Sequence, residues 1–464
     1  MTKAETRERT TSTGESGPIP IAVLVALGTA ACVVAWVSVV GSDSLWLSAL
    51  GDTIRADRQI PVGVPFAAAP SGEWVNTTAL GQLVFSVLYL GGSIGIVAAQ
   101  VVAVTWTLWL LVTEAGQRGS RALGTVSALL LVLVGGAAPL LIARAQLLSL
   151  VPYAALLVLV RREHDRPSRL IWMAVPLIAL WGNLHGAVLV GVAVLGCYLA
   201  FSRLRRDPWT AVGVGFAALA AACLNPGLLR APRYYIGVFT GAATSDDSGM
   251  WSRLSLSNIF DVLLLVASIC LGYMAFRRRR PLWEYAAALG LAGATVLAAR
   301  HGIWLMLILL VPAALSMPSR GDAAASEAPS TLARAATIVA CVVVAACLLG
   351  VRAPTFRAAD AEAARLADAT RGEVVLVAEP LAESMAAAGT TVWVSNPLDA
   401  FDHADQTAYL AFMNGDAAGA ARALAQAEVV VALPGSAQAA AAQATGLTQG
   451  TKVGTYALFR RSSG

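Results

Sequence analysis

The sequence predicts an α-helical polytopic membrane protein with a small α/β domain at its C-terminus. Hydrophobic residues make up 57% of its 464 residues and charged residues only 13%, whereas soluble domains contain roughly 25% charged residues. Eleven apolar stretches follow one another along the chain. The arginines between these stretches fall on alternate connections, which is typical of the cytoplasmic loops of a multi-span protein.

About 20 helical residues cross a hydrocarbon core of roughly 30 Å, and the apolar stretches therefore define about eleven transmembrane helices. We predict spans at residues 20–41, 91–113, 122–141, 145–160, 170–182, 186–201, 209–224, 257–276, 282–299, 302–317 and 333–351. The pair between 170 and 201 is the least regular. It is also compatible with one broken helix or with a re-entrant hairpin around Gly182 to Gly186.

The distribution of basic residues predicts the orientation. One set of alternate connections contains 18 lysines and arginines and the opposite set contains seven. By the positive-inside rule the N-terminal tail, residues 1–19, is cytoplasmic, and an odd number of spans then leaves the C-terminus outside. We expect a multi-pass plasma-membrane protein with a transmembrane domain at 20–351 and outer loops at 42–90 and 225–256. The first loop ends in an amphipathic run, Leu80 to Leu90, that suggests an interfacial helix.

The tail from 352 to 464 has the pattern of a small extracytoplasmic α/β domain. Alanine-rich stretches at 358–369, 380–388, 417–427 and 435–445 alternate with β-branched runs at 373–378, 391–395, 428–433 and 455–460. Short β-branched runs indicate strands, and strands that alternate with helices favour a parallel or mixed sheet.

Composition also excludes several functional classes. The net charge is +5, but most basic residues mark span ends and no aromatic residues alternate with them, so we expect no nucleic-acid partner. The six cysteines lie in apolar stretches without a CxxC motif, which argues against disulfides and zinc. We expect no cofactor. Asp246 and Asp247 are weak candidates for a divalent metal, since two aspartates before Ser and Gly more often form a solvated turn.

Polar residues cluster at the predicted outer ends of the spans. An ionisable group inside a membrane costs about 2.5–3.5 kcal/mol unless it is paired or lines a wet cavity. One cavity shared by these groups would lower that cost for all of them. The candidates are Asp43, Arg144, Gln146, Asn183, His185, Asn225 and Arg300. A carboxylate that faces arginines suits a site that holds a phosphate diester and accepts a proton.

Each candidate also has a structural interpretation. Asp43 is compatible with a solvated helix end, and Arg144 and Arg300 with side chains that extend to lipid headgroups. Asn183 and His185 are compatible with hydrogen bonds between membrane helices. The argument for a site is therefore that all of these residues are predicted to lie on the same side of the membrane.

The segment after the first span resembles the first outer loop of GT-C bacterial membrane glycosyltransferases, specifically of an actinobacterial group. The matching residues are Asp43, Trp46, Gly51, Ile60, Pro61, Pro65, Phe66 and Trp74. The later segments ARAQ, WGNLHG and NPG and the tail strand VWVSNPLDAF continue the resemblance over almost the whole chain. Three positions depart from it, because Val64, Thr77 and Thr78 stand where acidic residues or a His-Glu pair are expected.

This resemblance implies a GT-C fold and the transfer of a sugar from a polyprenyl-phosphate donor at the outer leaflet. The acceptor would be an envelope glycan, lipid or protein, and Asp43 would be the catalytic base. Arg144, Gln146, Asn183, His185, Asn225 and Arg300 would bind substrate. The three departures leave open a non-catalytic relative that binds a lipid-linked glycan or a protein partner, and a transporter is a weaker alternative.

Overall fold

A computed structural model describes residues 19–240, 253–317 and 330–461 of the chain. Residues 1–18 of the predicted N-terminal tail lie outside the described residues, as do Asp246 and Asp247 with most of the second half of the predicted loop 225–256.

Helices make up nearly all of the described chain before residue 370. In chain order they are α1 (Ile21–Val37), α2 (Ser42–Asp57), α3 (Ala79–Tyr89), α4 (Ser93–Gln117), α5 (Ala122–Gly135), α6 (Ala137–Leu141), α7 (Leu147–Asp165), α8 (Ala174–Leu184), α9 (Val188–Tyr198), α10 (Pro208–Ala222), α11 (Ala231–Thr240), α12 (Ile259–Phe276), α13 (Leu282–Leu297), α14 (Gly302–Ala314) and α15 (Thr331–Ala369). Short turns of tighter or wider helix occur at Arg169–Met173, Leu199–Arg203, Leu228–Arg230 and Ala299–His301.

Three of the described helices, α4, α12 and α15, are long and apolar enough to cross a membrane. Eight further apolar segments are shorter. The prediction of a mostly helical chain is thereby confirmed, with three helices suited to crossing a membrane, whereas the number eleven stays a prediction. In the irregular region α8 and α9 are separate helices, divided at His185 to Ala187. The amphipathic run in the first loop is helical, as α3.

Helix α14 lies at the centre of the helical region, because all thirteen of its residues are buried. A helix that is apolar on every side needs neighbours on every side. Trp304 of α14 packs edge-on against Tyr153, with ring centroids 5.1 Å apart, and Trp181 packs against the same tyrosine. The Tyr153 hydroxyl donates to the Trp304 carbonyl oxygen over 3.0 Å. This aromatic cluster joins α7, α8 and α14.

The arginine-containing connections meet at one end of the helices. Arg118 pairs with Asp165 over 2.6 Å, which joins the end of α4 to the end of α7.

Within the apolar interior, Arg161 pairs with Glu284 over 3.0 Å and donates to the Ile308 carbonyl oxygen. A buried arginine needs such partners, since an uncompensated buried charge is strongly destabilising.

The end of the chain forms a mixed four-stranded sheet. Strand β3 (Val375–Val377) runs parallel to β4 (Val429–Ala432), while β5 (Leu447–Val453) and β6 (Tyr456–Arg461) complete an antiparallel half. The order of the strands across the sheet is β3-β4-β6-β5. The helices around it are α16 (Leu381–Ala387), α17 (His403–Met413), α18 (Ala421–Gln426) and α19 (Ala437–Ala444). The predicted mixed sheet is found, but the sequence interpretation missed α17 and β5.

This sheet is continued by the segment between α2 and α3. Val392, in a predicted strand, forms isolated bridges with both Val375 and Ala67. Its amide donates to the Phe66 carbonyl oxygen over 2.9 Å, and the Ala68 amide donates to the Val392 carbonyl oxygen over 2.8 Å. The C-terminal sheet and the predicted first loop therefore form one hydrogen-bonded unit.

Helix α15 connects the two parts without a break. It runs for 39 residues across the predicted domain boundary at 351, and Pro354 lies inside it. Arg352 donates to the Ser38 carbonyl oxygen at the end of α1 over 2.6 Å. About two turns further, the Asp360 carboxylate accepts bonds from the Ser93 amide over 3.0 Å and the Ser93 hydroxyl over 2.5 Å. Asp360 thus caps the N-terminus of α4, where its negative charge is favourable.

We expect Asp360→Ala to lower the free energy of unfolding by about 1–2 kcal/mol, because the variant loses an N-terminal cap. Thermal unfolding of the purified protein in detergent micelles measures this change. Asp368→Ala, on the same helix with a side chain 71% exposed, is the control and should melt as the wild type does. Equal melting of both variants would contradict the capping role.

Candidate functional site

A two-residue sheet brings Asp43 next to Arg144. Strand β1 (Val39–Val40) follows α1 and pairs in parallel with β2 (Ile142–Ala143). The Ala143 carbonyl oxygen then accepts from the Gly41 amide over 2.8 Å and from the Ser44 hydroxyl over 2.7 Å. Gly41 and Ser44 lie on either side of Asp43, and Arg144 directly follows Ala143. The two charged residues therefore lie next to the same short sheet.

Gly41 allows this close approach. A Cβ atom at position 41 would lie 3.0 Å from Ile142 Cγ2 and 3.1 Å from Arg144 Cβ. Those separations are tighter than ordinary van der Waals contact, so any larger residue would push the start of α2 away from Arg144.

Asp43 interacts with two guanidinium groups. It lies in the first turn of α2 and is half-buried. Burial raises the pKa of the Asp43 carboxyl above its ordinary value, while the positive charges of Arg144 and Arg300 act in the opposite direction. Arg300 comes from the turn between α13 and α14. The structure thus brings together three of the predicted site residues from distant parts of the sequence.

His185 belongs to the same cluster, because its imidazole interacts electrostatically with Arg144 and Arg300. It follows α8, and its Nδ1 lies 2.7 Å from the Ser149 hydroxyl oxygen. That hydroxyl accepts a bond from the Trp181 indole Nε1 over 2.7 Å, and the Ala187 amide donates to His185 Nδ1 over 3.3 Å, so Nδ1 is an acceptor. The neutral imidazole consequently has its proton on Nε2 and offers it as a donor.

The remaining predicted residues have more local partners. The Asn183 amide nitrogen donates to the Leu224 carbonyl oxygen over 2.6 Å, which ties the end of α8 to the end of α10. Asn225 bonds the backbone at Ala222 and Gly227 and so shapes the turn after α10. Gln146 is buried, and its Oε1 has no hydrogen-bond partner. Gln146 thus has a buried acceptor that no described residue satisfies.

The C-terminal domain reaches this end of the helices through Asn396. Its amide nitrogen lies 3.5 Å from the hydroxyl oxygen of Ser42, the neighbour of Asp43, and donates to Glu379 over 2.8 Å and to Glu383 over 3.0 Å. Nearby, Asp399 is exposed and accepts a hydrogen bond from Tyr234 of α11. Sequence reasoning missed these residues, although the motif VWVSNPLDAF contains both Asn396 and Asp399.

Glu383 is a fully buried carboxyl. Its Oε1 accepts bonds from the Asn396 amide and side chain, while Oε2 has no partner. Burial raises its pKa to about 7, and the nearby Glu379 charge acts in the same direction. Glu383 thus accepts the bonds that hold the turn of Asn396 beside Ser42.

A metal site is found nowhere in the described part of the chain, since no three His, Cys, Asp or Glu residues are grouped suitably there. The positions that depart from the GT-C pattern are structural. Val64 is buried in an apolar cluster with Trp393 and Phe401 of the C-terminal domain. Thr77 is also buried, and Thr78 precedes α3.

Comparison of the chain with protein-family models and with curated proteins gives no match.

We expect Ser149→Ala to lower the free energy of unfolding by about 1–3 kcal/mol, because it leaves the buried Trp181 indole N–H without a partner. Thermal unfolding of the detergent-solubilised protein measures this. The control is Ser202→Ala, which removes a similar 2.7 Å bond to His164 but orphans no indole. Equal destabilisation by the two variants would contradict the arrangement.

The free energy of unfolding should depend on the protonation of Glu383. A carboxyl whose folded pKa is raised from 4.5 to about 7 contributes stability that is present below about pH 4.5 and is lost as pH rises through 7, at most about 3 kcal/mol. Melting temperatures at pH 5 and pH 8 measure the loss. Glu383→Gln should reduce the difference and Asp368→Asn should retain it, whereas an unchanged difference in Glu383→Gln would exclude this role.

Proposed function

We propose that this chain is a GT-C-like membrane glycosyltransferase with about eleven spans. It transfers a sugar from a polyprenyl-phosphate donor to a cell-envelope acceptor on the outer side of the plasma membrane. The observation that carries the proposal is the convergence of Asp43 with Arg144, Arg300 and His185 at one end of the helices.

Charge at the two ends supports the orientation. At one end the arginines are numerous and pair with local acids, as Arg118 does with Asp165. The other end contains Asp43, Arg144 and Arg300 and adjoins the C-terminal domain through Asn396 and Ser42. The positive-inside rule assigns the first end to the cytoplasm, so the cluster and the C-terminal domain face outward.

The two arginines suit the donor. A phosphate diester is held best by guanidinium groups, which form short charge-assisted hydrogen bonds. As the bond between the anomeric carbon and the phosphate oxygen breaks, its electron pair passes to the phosphate, and Arg144 and Arg300 stabilise the growing negative charge. The leaving group is then the polyprenyl phosphate itself.

Asp43 suits the acceptor. Its carboxylate removes the proton from the acceptor hydroxyl while that oxygen bonds to the anomeric carbon on the face opposite the phosphate, so the configuration inverts. A general base in this position contributes about 10²–10⁴-fold to the rate. Asp43 is half-buried as a residue, and this role requires that the acceptor hydroxyl reach its carboxylate.

His185 and Gln146 suit orientation of the substrate. The imidazole Nε2 proton is available because Ser149 occupies Nδ1, and Gln146 adds an unpaired acceptor close to Arg144 in sequence. One donor and one acceptor beside the two arginines fit a polar headgroup that contains both a phosphate and sugar hydroxyls.

A non-catalytic envelope protein is the second candidate. Val64 packs in an apolar cluster with the C-terminal domain, so that position supplies no titratable group. In this alternative the cluster binds a lipid-linked glycan through the arginines, and the proton acceptor is dispensable. Transport is less favoured, because the polar cluster lies at one end of the helices rather than midway along them.

We expect Asp43→Asn to lower sugar incorporation into the envelope at least 100-fold, because the variant lacks the proton acceptor but retains the size of the side chain. Incorporation of a radiolabelled sugar in membranes from a deletion strain measures the loss. Asp57→Asn, at the exposed end of the same helix, is the control and should be active.

Full rescue by Asp43→Asn, with the variant inserted in normal amount, would favour the non-catalytic alternative. In that case Arg144→Ala should still abolish rescue, since glycan binding would depend on the guanidinium group.

A further inference from the structure

A cavity lies between α2 and the C-terminal domain, apart from the cluster at Asp43. It has a volume of about 320 Å³, at the lower end of the roughly 300–1,000 Å³ typical of small-molecule sites. Asp52 and Thr53 of α2 form one wall, Pro65 and Phe66 form a second, and the residues after α16, including Thr390, form a third. Its walls thus come from α2, from the segment between α2 and α3, and from the C-terminal domain.

The Thr390 hydroxyl is a buried polar group with no partner. Thr390 is 5% exposed, and its Oγ1 makes no hydrogen bond. A buried hydroxyl without a partner destabilises the folded state. Thr390 lines the cavity, although its Oγ1 is shielded from the cavity in this rotamer. A rotation about the Cα–Cβ bond would bring the hydroxyl to a ligand that supplies a hydrogen-bonding group.

Asp52 provides an acceptor on the opposite wall. Its Oδ1 accepts from the Ser86 hydroxyl over 2.6 Å and from Arg55 over 3.2 Å, and these bonds fix its orientation. The side chain is 47% exposed, so the carboxylate remains open to a further donor. The Thr53 hydroxyl donates to the Ala49 carbonyl oxygen over 3.2 Å and keeps its own acceptor capacity.

The ligand that fits this lining is rich in hydroxyl groups and has an apolar face. Carboxylate and threonine oxygens require donors, whereas Pro65 and Phe66 offer apolar contact. A sugar ring presents both surfaces, because its hydroxyls donate at the edge and its C–H groups cover a face. An anionic ligand is disfavoured by the Asp52 charge.

The position of the cavity relates it to the site at Asp43. Ala49 and Thr53 lie seven and eleven residues after Ser42. These separations are close to whole helical turns, so the three residues share one face of α2. The cavity lies about 10–17 Å along that face from Ser42 at 1.5 Å per residue. A sugar bound there does not itself reach Asp43.

We propose that this cavity binds a neutral sugar residue of the acceptor glycan, remote from the hydroxyl that reacts at Asp43. The role of this residue as an acceptor unit rests on the proposed function, whereas its binding does not. Binding energy from a remote part of a substrate holds the reacting group in place.

Saturation-transfer NMR on the full-length protein in detergent micelles tests the proposal. The probes are the methyl glycosides of glucose, galactose, mannose and N-acetylglucosamine. We expect at least one to bind with a millimolar Kd, and Thr390→Val and Asp52→Asn to weaken it tenfold or more. Thr445→Val, an exposed threonine outside the cavity, should bind as the wild type does.

Two further measurements separate the possible outcomes. Thr390→Val should melt at or above the wild-type temperature, because it removes an unpaired buried hydroxyl, so weaker binding would not reflect unfolding. Asp43→Asn should bind the glycosides normally, which distinguishes failure of this site from failure of the transfer reaction. Absence of binding by all four probes, or equal binding by Thr390→Val, would overturn the proposal.

Discussion

An ionisable side chain among apolar helices needs a partner or water, and this requirement governs the arrangement of the molecule. In the interior, Arg161 satisfies it with Glu284 and a carbonyl oxygen. At the end that adjoins the C-terminal domain, Asp43 lies in the field of two arginines instead. In the proposed function, the phosphate of the donor would bind to these two guanidinium groups through charge-assisted hydrogen bonds.

The C-terminal domain is coupled to that end by backbone as well as by side chains. The segment before Ala69 extends the sheet through Val392, and α15 continues without interruption from the helical region into the domain. Asp360 fixes this helix to α4, and Asn396 lies beside Ser42. The C-terminal domain thus contacts the helical region at several points, among them Ser42 beside Asp43 and the α2 wall of the cavity.

Much of the helical architecture is legible in the sequence, because long apolar runs have no other stable arrangement in a membrane. The sequence also indicated that Asp43, Arg144, His185 and Arg300 lie near ends of apolar stretches. It could not reveal the pairing of β1 with β2, since two-residue strands leave no periodicity. Asn396 was hidden for another reason, because its contact with Ser42 spans 354 residues. Strand β5 was missed because its residues are mostly exposed and polar.

Chemical labelling of position 43 in intact cells tests the central claim of an outward-facing cationic site most directly. In a background without the six native cysteines, Asp43→Cys should react with an anionic, membrane-impermeant methanethiosulfonate, and faster than with a cationic one, because of Arg144 and Arg300. Arg278→Cys, at the opposite end, should react only after permeabilisation. Protection of position 43 until the membrane is opened, or faster reaction with the cationic reagent, would contradict the account.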